Sequence, residues 1–511
     1  MTWSSYGFRF IVAFVGIALT CTAARANDIY ITQNQSGAHT GQTCADAYAY
    51  TFFNNSANWG AGLNQIGPGT IVHLCGTFTA AAGSSGYLVF QGSGLAGSPV
   101  TLHFESGAFL ESAYWGAAGA INSNGKSYII VDGGSNGLVQ ATDNGSAMRN
   151  QQDGKGVYLA SCNNCEVRNL TISNIYVHSS VSDESGLNTY GVYVQGGNNV
   201  TLDNNTVHDV KWALEYGFPG GTISTNVQIF NNLTYHCDHG ISVGSGNTGA
   251  VLSGALLFGN TSRDHLNWED TNNLNHHDGI HVWAVHASSS ITGLQIYNNR
   301  IYGDWGIHCT ANIFVDVENG GATDRFYIFN NDLGATNAGS HTCGNGFIAV
   351  MGTNGHIVNN TMVSDSNVNI TGIDNYGSGQ TILNNVFHNV RTGIYSPAGT
   401  SVDKSDYNSF YGPTNNAMSY QGTWYASFSA WQTATGFDTH SVTTNPNLSS
   451  TDRPLPASPL IGTGADLSAL GLAALSFDMT GVARTPPWTI GAFAYIGVVV
   501  NPPSGLTATP R

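Results

Sequence analysis

The sequence predicts an all-β solenoid, and three observations carry that expectation. Between about residues 125 and 410 one phrase recurs: a short alternating strand opened by Gly, a second strand, then Asn-Asn or Gly-Asn, then an apolar residue. The openers are Gly156-Val157-Tyr158-Leu159, Gly191-Val192-Tyr193-Val194, Gly240-Ile241-Ser242-Val243, Gly279-Ile280-His281-Val282, Gly346-Phe347-Ile348-Ala349 and Gly372-Ile373-Asp374. The second asparagines fall at Asn205, Asn232, Asn260, Asn299, Asn331, Asn360 and Asn385, with successive gaps of 27, 28, 39, 32, 29 and 25. A unit of that size with period-2 strands and no helical period is one coil of a stacked repeat. Composition agrees: charged residues are 9% of the chain against roughly 25% in an ordinary soluble domain, and Gly fills 64 of 511 positions. That excludes a coiled coil, a helical bundle and a charged disordered chain.

Taken from the N-terminus, Arg9 precedes the apolar run Ile11 to Cys21, and Ala24-Arg25-Ala26 is a small-x-small cleavage site, so residues 1–26 read as a signal peptide. The run is too short to span a bilayer. Removing Arg9 and Arg25 leaves 13 basic against 31 acidic side chains, a net charge of −18. A chain so negative is a poor partner for nucleic acid or an anionic lipid surface. The expectation is a secreted protein, extracellular or periplasmic, free of the membrane after signal removal and acting as a monomer. Export leads to an oxidising compartment, where Cys44 is expected to pair with Cys75 and Cys309 with Cys343. Cys162 and Cys165 read as a tight disulfide or two buried thiols, since no second half-site for zinc accompanies them.

Residues 27–124 read as an N-terminal cap with the first coils, closing the stack against edge pairing. Across 125–410 no coil buries its apolar face alone, so coils stack at about 4.8 Å and fuse their Val, Ile and Leu residues into one core. Asparagine at a fixed turn tolerates left-handed backbone, and its amide reaches the equivalent amide one coil along. On these residues the chain resembles the right-handed parallel β-helix of the pectin-lyase-like superfamily, clearly over 125–410 and loosely over 27–125. The resemblance implies the fold and a polysaccharide-active protein; it does not fix the reaction, because that fold hosts lyases, hydrolases, epimerases and inert adhesins. Residues 411–495 read as C-terminal coils and cap, similar from Pro454-Leu455-Pro456 to Tyr495 to the ends of bacterial β-helix proteins, and 496–511 as an extended tail.

Stacking turns sequence distances of about 28 residues into neighbours. If Val157, Val192, Trp212, Ile241, Ile280, Ile313 and Phe347 point inward, alternation sends Tyr158, Tyr193, Ala213, Ser242, His281 and Phe314 outward, and two places on Glu215, Gly244, Trp283 and Asp316 as well. Tyr190, Lys211, Asp238-His239 and Asp278 lie just before the strands. The longest gap, 39, holds the insertion from Arg263 to Asp270 and then His276-His277-Asp278-Gly279-Ile280-His281-Val282-Trp283. Long insertions in a solenoid line the binding face. Acids, imidazoles and indoles together suit a sugar polymer, because indoles stack on pyranose rings and carboxylates handle protons at the glycosidic oxygen.

The leading expectation is a glycoside hydrolase centred on Asp278, with Glu215 and Asp316 as further acids, His239 and His281 positioning substrate or tuning a carboxylate, and Trp283 and Tyr193 stacking on sugar. Tyr190, Arg263, Arg300, Asp304 and His308 complete the substrate-binding set. Such a hydrolase requires no cofactor. The alternative is a polysaccharide lyase or C5-epimerase, with Lys211, His239, His281 or Tyr190 as base and Arg263, Arg300 or Ca²⁺ neutralising a uronate. A third reading is a non-catalytic adhesive β-helix. Each residue also has a plainer role: Tyr193 and Trp283 as structural ladders, Asp278 as a turn cap, and His276-His277-Asp278-x-x-His281 as a metal cluster without a fixed ligand spacing. Asp238-His239-Gly240 resembles the Gly-His-Gly segment of polygalacturonases, and Asn188-Thr189-Tyr190-Gly191 their Asn-Thr-Asp-Gly segment. Only His239 carries over, since Tyr190 stands where the family has its first catalytic Asp and Val210-Lys211 where it has the Asp pair.

Overall fold

The structure, a computed structural model, describes residues 28–143, 152–175, 187–265, 276–306, 308–335, 345–364, 370–412 and 418–497. Two sheets of 16 and 21 strands, paired in parallel throughout, wind into a right-handed parallel β-helix of three faces. The 16-stranded sheet is the first face. The 21-stranded sheet supplies the second and third, because strands such as Thr206–Gly217 and Leu233–Ser245 run through the corner between them.

Apolar residues at period 2 place one column inside each face. On the first face Val167, Leu202, Ile229, Leu257, Ile296 and Ile328 stack in register. On the third face Val157, Val192, Leu214, Ile241, Ile280, Ile313 and Ile348 do the same. All are fully buried, and each such side chain removed from water is worth roughly 1.5–3 kcal/mol. Two positions differ from the expected register. Leu214, not Trp212, fills the core in its coil, and Ile348, not Phe347, pairs with Ile313. The cause is that these two coils carry Ala213 and Phe347, not glycine, at the corner position just before the core residue, so counting from a glycine opener falls two residues early in the first and one residue early in the second.

The asparagine turns form the corner between the first and second faces. Asn204, Asn231, Asn298, Asn330, Asn359 and Asn384 adopt φ of 54 to 57°, the left-handed region that asparagine accepts with little strain. The residue after each is the ladder: Asn205, Asn232, Asn260, Asn299, Asn331, Asn360 and Asn385 each donate to the next amide oxygen at 2.9–3.3 Å, the last acceptor being Asn408, which donates to Asp438 Oδ1 at 2.9 Å.

Cys44–Cys75 and Cys162–Cys165 are disulfides, Cys237 is a buried free thiol, and Cys309 is disulfide-bonded; Cys343 lies outside the described residues, as do the segments expected to form the signal peptide and tail. The far end is closed by the helix Phe428–Thr435, capped by Ser427 and by Gly436 at φ 72°, with Trp431 buried and its indole donating to Asp438 at 2.9 Å. The following segment runs back along the asparagine corner rather than adding coils: Arg484 donates to Asn330 Oδ1 at 2.8 Å and Leu467, Leu475 and Trp488 cover Phe329, Val358 and Leu383. Among the described residues no helix is long and apolar enough to cross a membrane.

Candidate active face

The third face owes its outer surface to the corner bulge. In register, Lys155, Tyr190, Trp212, His239 and Asp278 form one row, one residue is skipped, and Val157, Val192, Leu214, Ile241 and Ile280 follow. The skipped residues are Gly156, Gly191, Ala213, Gly240 and Gly279. They are small because the corner presses on them: a Cβ on Gly240 would lie 2.2 Å from Ser262 Oγ. Residues three apart therefore emerge side by side. The second row reads Tyr158, Tyr193, Glu215, Ser242, His281 and Phe314, and the third Gln195, Gly217, Gly244, Trp283 and Asp316.

One end of this face is aromatic. Tyr193 stacks on Tyr158 at 5.6 Å and on Tyr190 at 4.6 Å, and Lys155 Nζ lies 5.3–5.5 Å from all three rings while donating to the Ala117 carbonyl at 2.8 Å. Burial lowers the Lys155 pKa against the opposing pull of Asp153 and Glu215. Trp212 lies flat on His239 at 4.0 Å. Further along, the Trp283 indole leans back over Gly244, where a Cβ would meet it at 2.1 Å, and donates to Ser242 Oγ at 3.1 Å.

Glu215 sits between the two ends and is buried. Burial pushes its pKa up to about 7, with the charges of His239 and Lys155 resisting. It is thus a carboxyl that keeps its proton close to neutrality.

The other end holds the imidazoles. Asp278 Oδ2 faces His239 Nε2 at 3.4 Å, His276 Nε2 at 3.5 Å and His281 Nδ1 at 3.7 Å. Asp278 Oδ1 accepts the Ala311 N–H at 3.0 Å. Asp238 bridges His239 Nδ1 at 3.0 Å and His277 Nδ1 at 3.1 Å, and Asp316 Oδ2 stands 3.8 Å from His281 Nε2. Burial alone would raise both carboxyls; the facing imidazoles win and hold Asp238 and Asp278 ionised, while burial lowers His239 less than Asp238 and Asp278 raise it, to about 9. Asp278 is therefore a fixed anion rather than a proton donor. His239, His276, Asp278 and His281 also place one ligand atom each within 4.8 Å of one another.

Of the expected site residues, Asp278, His239, His281, Glu215, Asp316, Trp283, Tyr193 and Tyr190 share this face. Glu215 lies in the His281 row, not in that of Trp283 and Asp316, because its coil is offset by two residues, one row, from the expected register. Arg263 and Arg300 lie on the second face, against Tyr235 at 4.7 Å and Tyr302 at 4.9 Å, with Arg300 Nε 3.4 Å from Asp332. Lys211 turns toward the Leu187 carbonyl, 3.5 Å from its Nζ. Asp304 belongs to a loop, its N–H donating to Asp264 at 3.2 Å, and the His308 carbonyl accepts the His277 N–H at 3.1 Å. Sequence reasoning passes over Lys155 and Trp212 as outer residues. Their signal is present: Lys155 precedes Gly156 as Tyr190 precedes Gly191, His239 Gly240 and Asp278 Gly279.

No family model matches the chain, and no curated protein matches it. Solved structures with a similar course of chain include a GH136 lacto-N-biosidase from Eubacterium ramulus, 12% identical over 75% of this chain with a TM-score of 0.39. A family 28 exopolygalacturonase from Yersinia enterocolitica is 13% identical, over 66% of this chain and 70% of its own, with a TM-score of 0.35. A pectate lyase is 14% identical, over 92% of this chain and 98% of its own, with a TM-score of 0.36. The chain spans 64% of the lacto-N-biosidase, less than two thirds of its length. Likeness at this level concerns the fold and leaves the chemistry to the residues.

Proposed function

We propose that this protein is a secreted, monomeric enzyme that cleaves glycosidic bonds of a polysaccharide by hydrolysis, with Glu215 as the proton donor. One observation carries the reading: a buried carboxyl with its pKa raised to about 7 stands between an aromatic platform and an ionised carboxylate on one face. Sugar rings stacked on Tyr193, Tyr190 and Trp212 bring a glycosidic oxygen to Glu215, which donates its proton as the bond breaks. The imidazole-bound Asp278 is the complementary group that stays charged throughout. The Glu215 and His281 rungs are two coils apart, about 10 Å along the axis at about 4.8 Å per coil. That spacing leaves room for a water between acid and base and exceeds the about 5–5.5 Å of a direct carboxylate nucleophile, so it favours inversion. The disulfides fit an oxidising compartment.

The test is incubation of the mature protein with neutral and uronic-acid polysaccharides, with and without chelator. Saturated reducing ends, lost in Glu215→Gln with the folded spectrum intact, support hydrolysis. Unsaturated ends absorbing in the ultraviolet would assign a lyase instead, and no product from any polysaccharide would leave the adhesive reading.

A further inference from the structure

We infer that His239, His276, Asp278 and His281 form a binding site for a borderline divalent transition-metal ion of the zinc class. The inference stands on the geometry of these side chains alone and does not depend on the reaction proposed above.

Three buried atoms at this point have no hydrogen-bond partner: Asp278 Oδ2, His239 Nε2 and His281 Nδ1. Each belongs to a side chain that is almost wholly buried. An orphaned polar atom at such a depth costs about 1–3 kcal/mol, and here they converge on one volume instead of being scattered. The Asp278 oxygen has three imidazole nitrogens at 3.4, 3.5 and 3.7 Å. A tetrahedral ion with bonds of about 2.0–2.1 Å has ligand-to-ligand edges of about 3.4 Å. The three edges at Asp278 are within about 0.3 Å of that length, and the remaining edges, up to 4.8 Å, require the rings to close toward the centre by up to about 1.4 Å.

The outer contacts orient the lone pairs. Asp238 Oδ2 accepts a hydrogen bond from His239 Nδ1 at 3.0 Å, which turns Nε2 toward Asp278, and metal binding displaces the proton that Nε2 otherwise carries. Asp316 lies behind His281 Nε2 at 3.8 Å, which leaves Nδ1 to face Asp278. Asp278 Oδ1 is held by the Ala311 N–H, so Oδ2 is the free oxygen. The carboxylate hydrogen-bonded behind His239 is the arrangement that fixes the tautomer of metal-ligating histidines, while the Asp316 carboxylate faces His281 Nε2 without a hydrogen bond. Three nitrogens and one oxygen suit Zn²⁺ and its neighbours in the first row; Ca²⁺ and Mg²⁺ require shells of oxygen. His276, whose side chain is 40% exposed, is the ligand on the solvent side and the path of entry.

The experiment uses the full mature chain, stripped with a chelator, then titrated calorimetrically with ZnCl₂ and with CaCl₂, with bound metal counted by mass spectrometry and Co²⁺ used as a visible probe of coordination. The expected result is one Zn²⁺ per chain, no competing Ca²⁺ binding, and the intense visible band of tetrahedral Co²⁺. His276→Ala, at a partly exposed position that leaves the core untouched, is expected to lose at least about 10-fold in affinity, and His281→Gln at least as much. His440→Ala, which removes an imidazole paired with Asp406 far along the chain, is expected to bind as the parent does. Substoichiometric zinc in a folded parent, equal affinity in His276→Ala, or a preference for Ca²⁺ overturns the inference. None of these readings uses a polysaccharide, so failure of the proposed hydrolysis leaves them unaffected; zinc on Asp278 Oδ2 would take that carboxylate out of the role of free base, whereas Glu215 as the acid is read separately by Glu215→Gln.

Discussion

The asparagine corner and the imidazole face are both stacks of buried polar side chains repeated rung by rung, yet they treat their hydrogen-bonding capacity in opposite ways. Asn299 donates from its backbone N–H and its amide to Asn331 Oδ1, donates again to the Leu257 carbonyl, and accepts twice from Asn260. Nothing is left over. On the third face, equally buried, Asp278 Oδ2, His239 Nε2 and both ring nitrogens of His281 lack a hydrogen-bond partner. A closed ladder stabilises the fold by satisfying what burial strips of water; an open cluster retains its capacity for something outside the chain.

The largest effect expected from breaking this contrast falls on the open side. Glu215→Gln should reduce kcat by about 10²–10⁴-fold, the usual contribution of a general acid, with an unchanged folded spectrum; a loss under 10-fold in a steady-state assay removes Glu215 from the role. On the closed side, Asn299→Ala should destabilise by about 3 kcal/mol, because it orphans the Asn260 amide as well as losing its own bonds, while kcat on the folded enzyme stays as it was. Chemical denaturation beside activity at low temperature reads both.

A third prediction uses pH. Glu215 titrates at about 7 in the folded chain against the ordinary 4.5, so the native state holds a proton that the unfolded chain releases. Its favourable contribution is complete below about pH 4.5, declines as pH rises, and is lost above about 7. Glu215→Gln should therefore nearly equal the parent in stability at pH 4 and exceed it by about 3 kcal/mol at pH 8, and parental kcat should fall as pH rises past 7. Parallel melting curves across that range would refute the shift. The smallest effect belongs to Gly244→Ala, whose Cβ must displace the Trp283 indole. It should raise KM by about 10-fold, roughly 1.4 kcal/mol, with little change in kcat; an unchanged KM would make Trp283 structural only.

Much of this contrast is legible in the chain. The second asparagines at gaps of 27, 28, 39, 32, 29 and 25 reappear as successive ladder partners, because the residue after the left-handed turn position must offer a stackable amide, which selects one residue type. His239, Asp278 and His281 are legible as neighbours for the same reason, since the register follows the ladder. Trp212 and Glu215 were displaced by two residues because Ala213 stands where neighbouring coils have glycine, and Arg263 and Arg300 lie on the second face because their short strands directly follow the asparagine turn. The glycines that mark the bulge, Gly156, Gly191, Gly240 and Gly279, are visible in sequence, but Ala213 breaks their run in the coil that carries Glu215.

The sequence by itself determined the solenoid, the length of each coil and the ladder that sets its register, since these depend on residues acting within one turn or on identical residues one turn apart. Only the tertiary structure decided which polar side chains are paired and which are left open, how far burial lifts Glu215, and that three imidazoles meet one carboxylate oxygen. Those properties depend on distances and solvent exclusion between different side chains on different coils, and a corner that shifts a strand by one residue redistributes all of them.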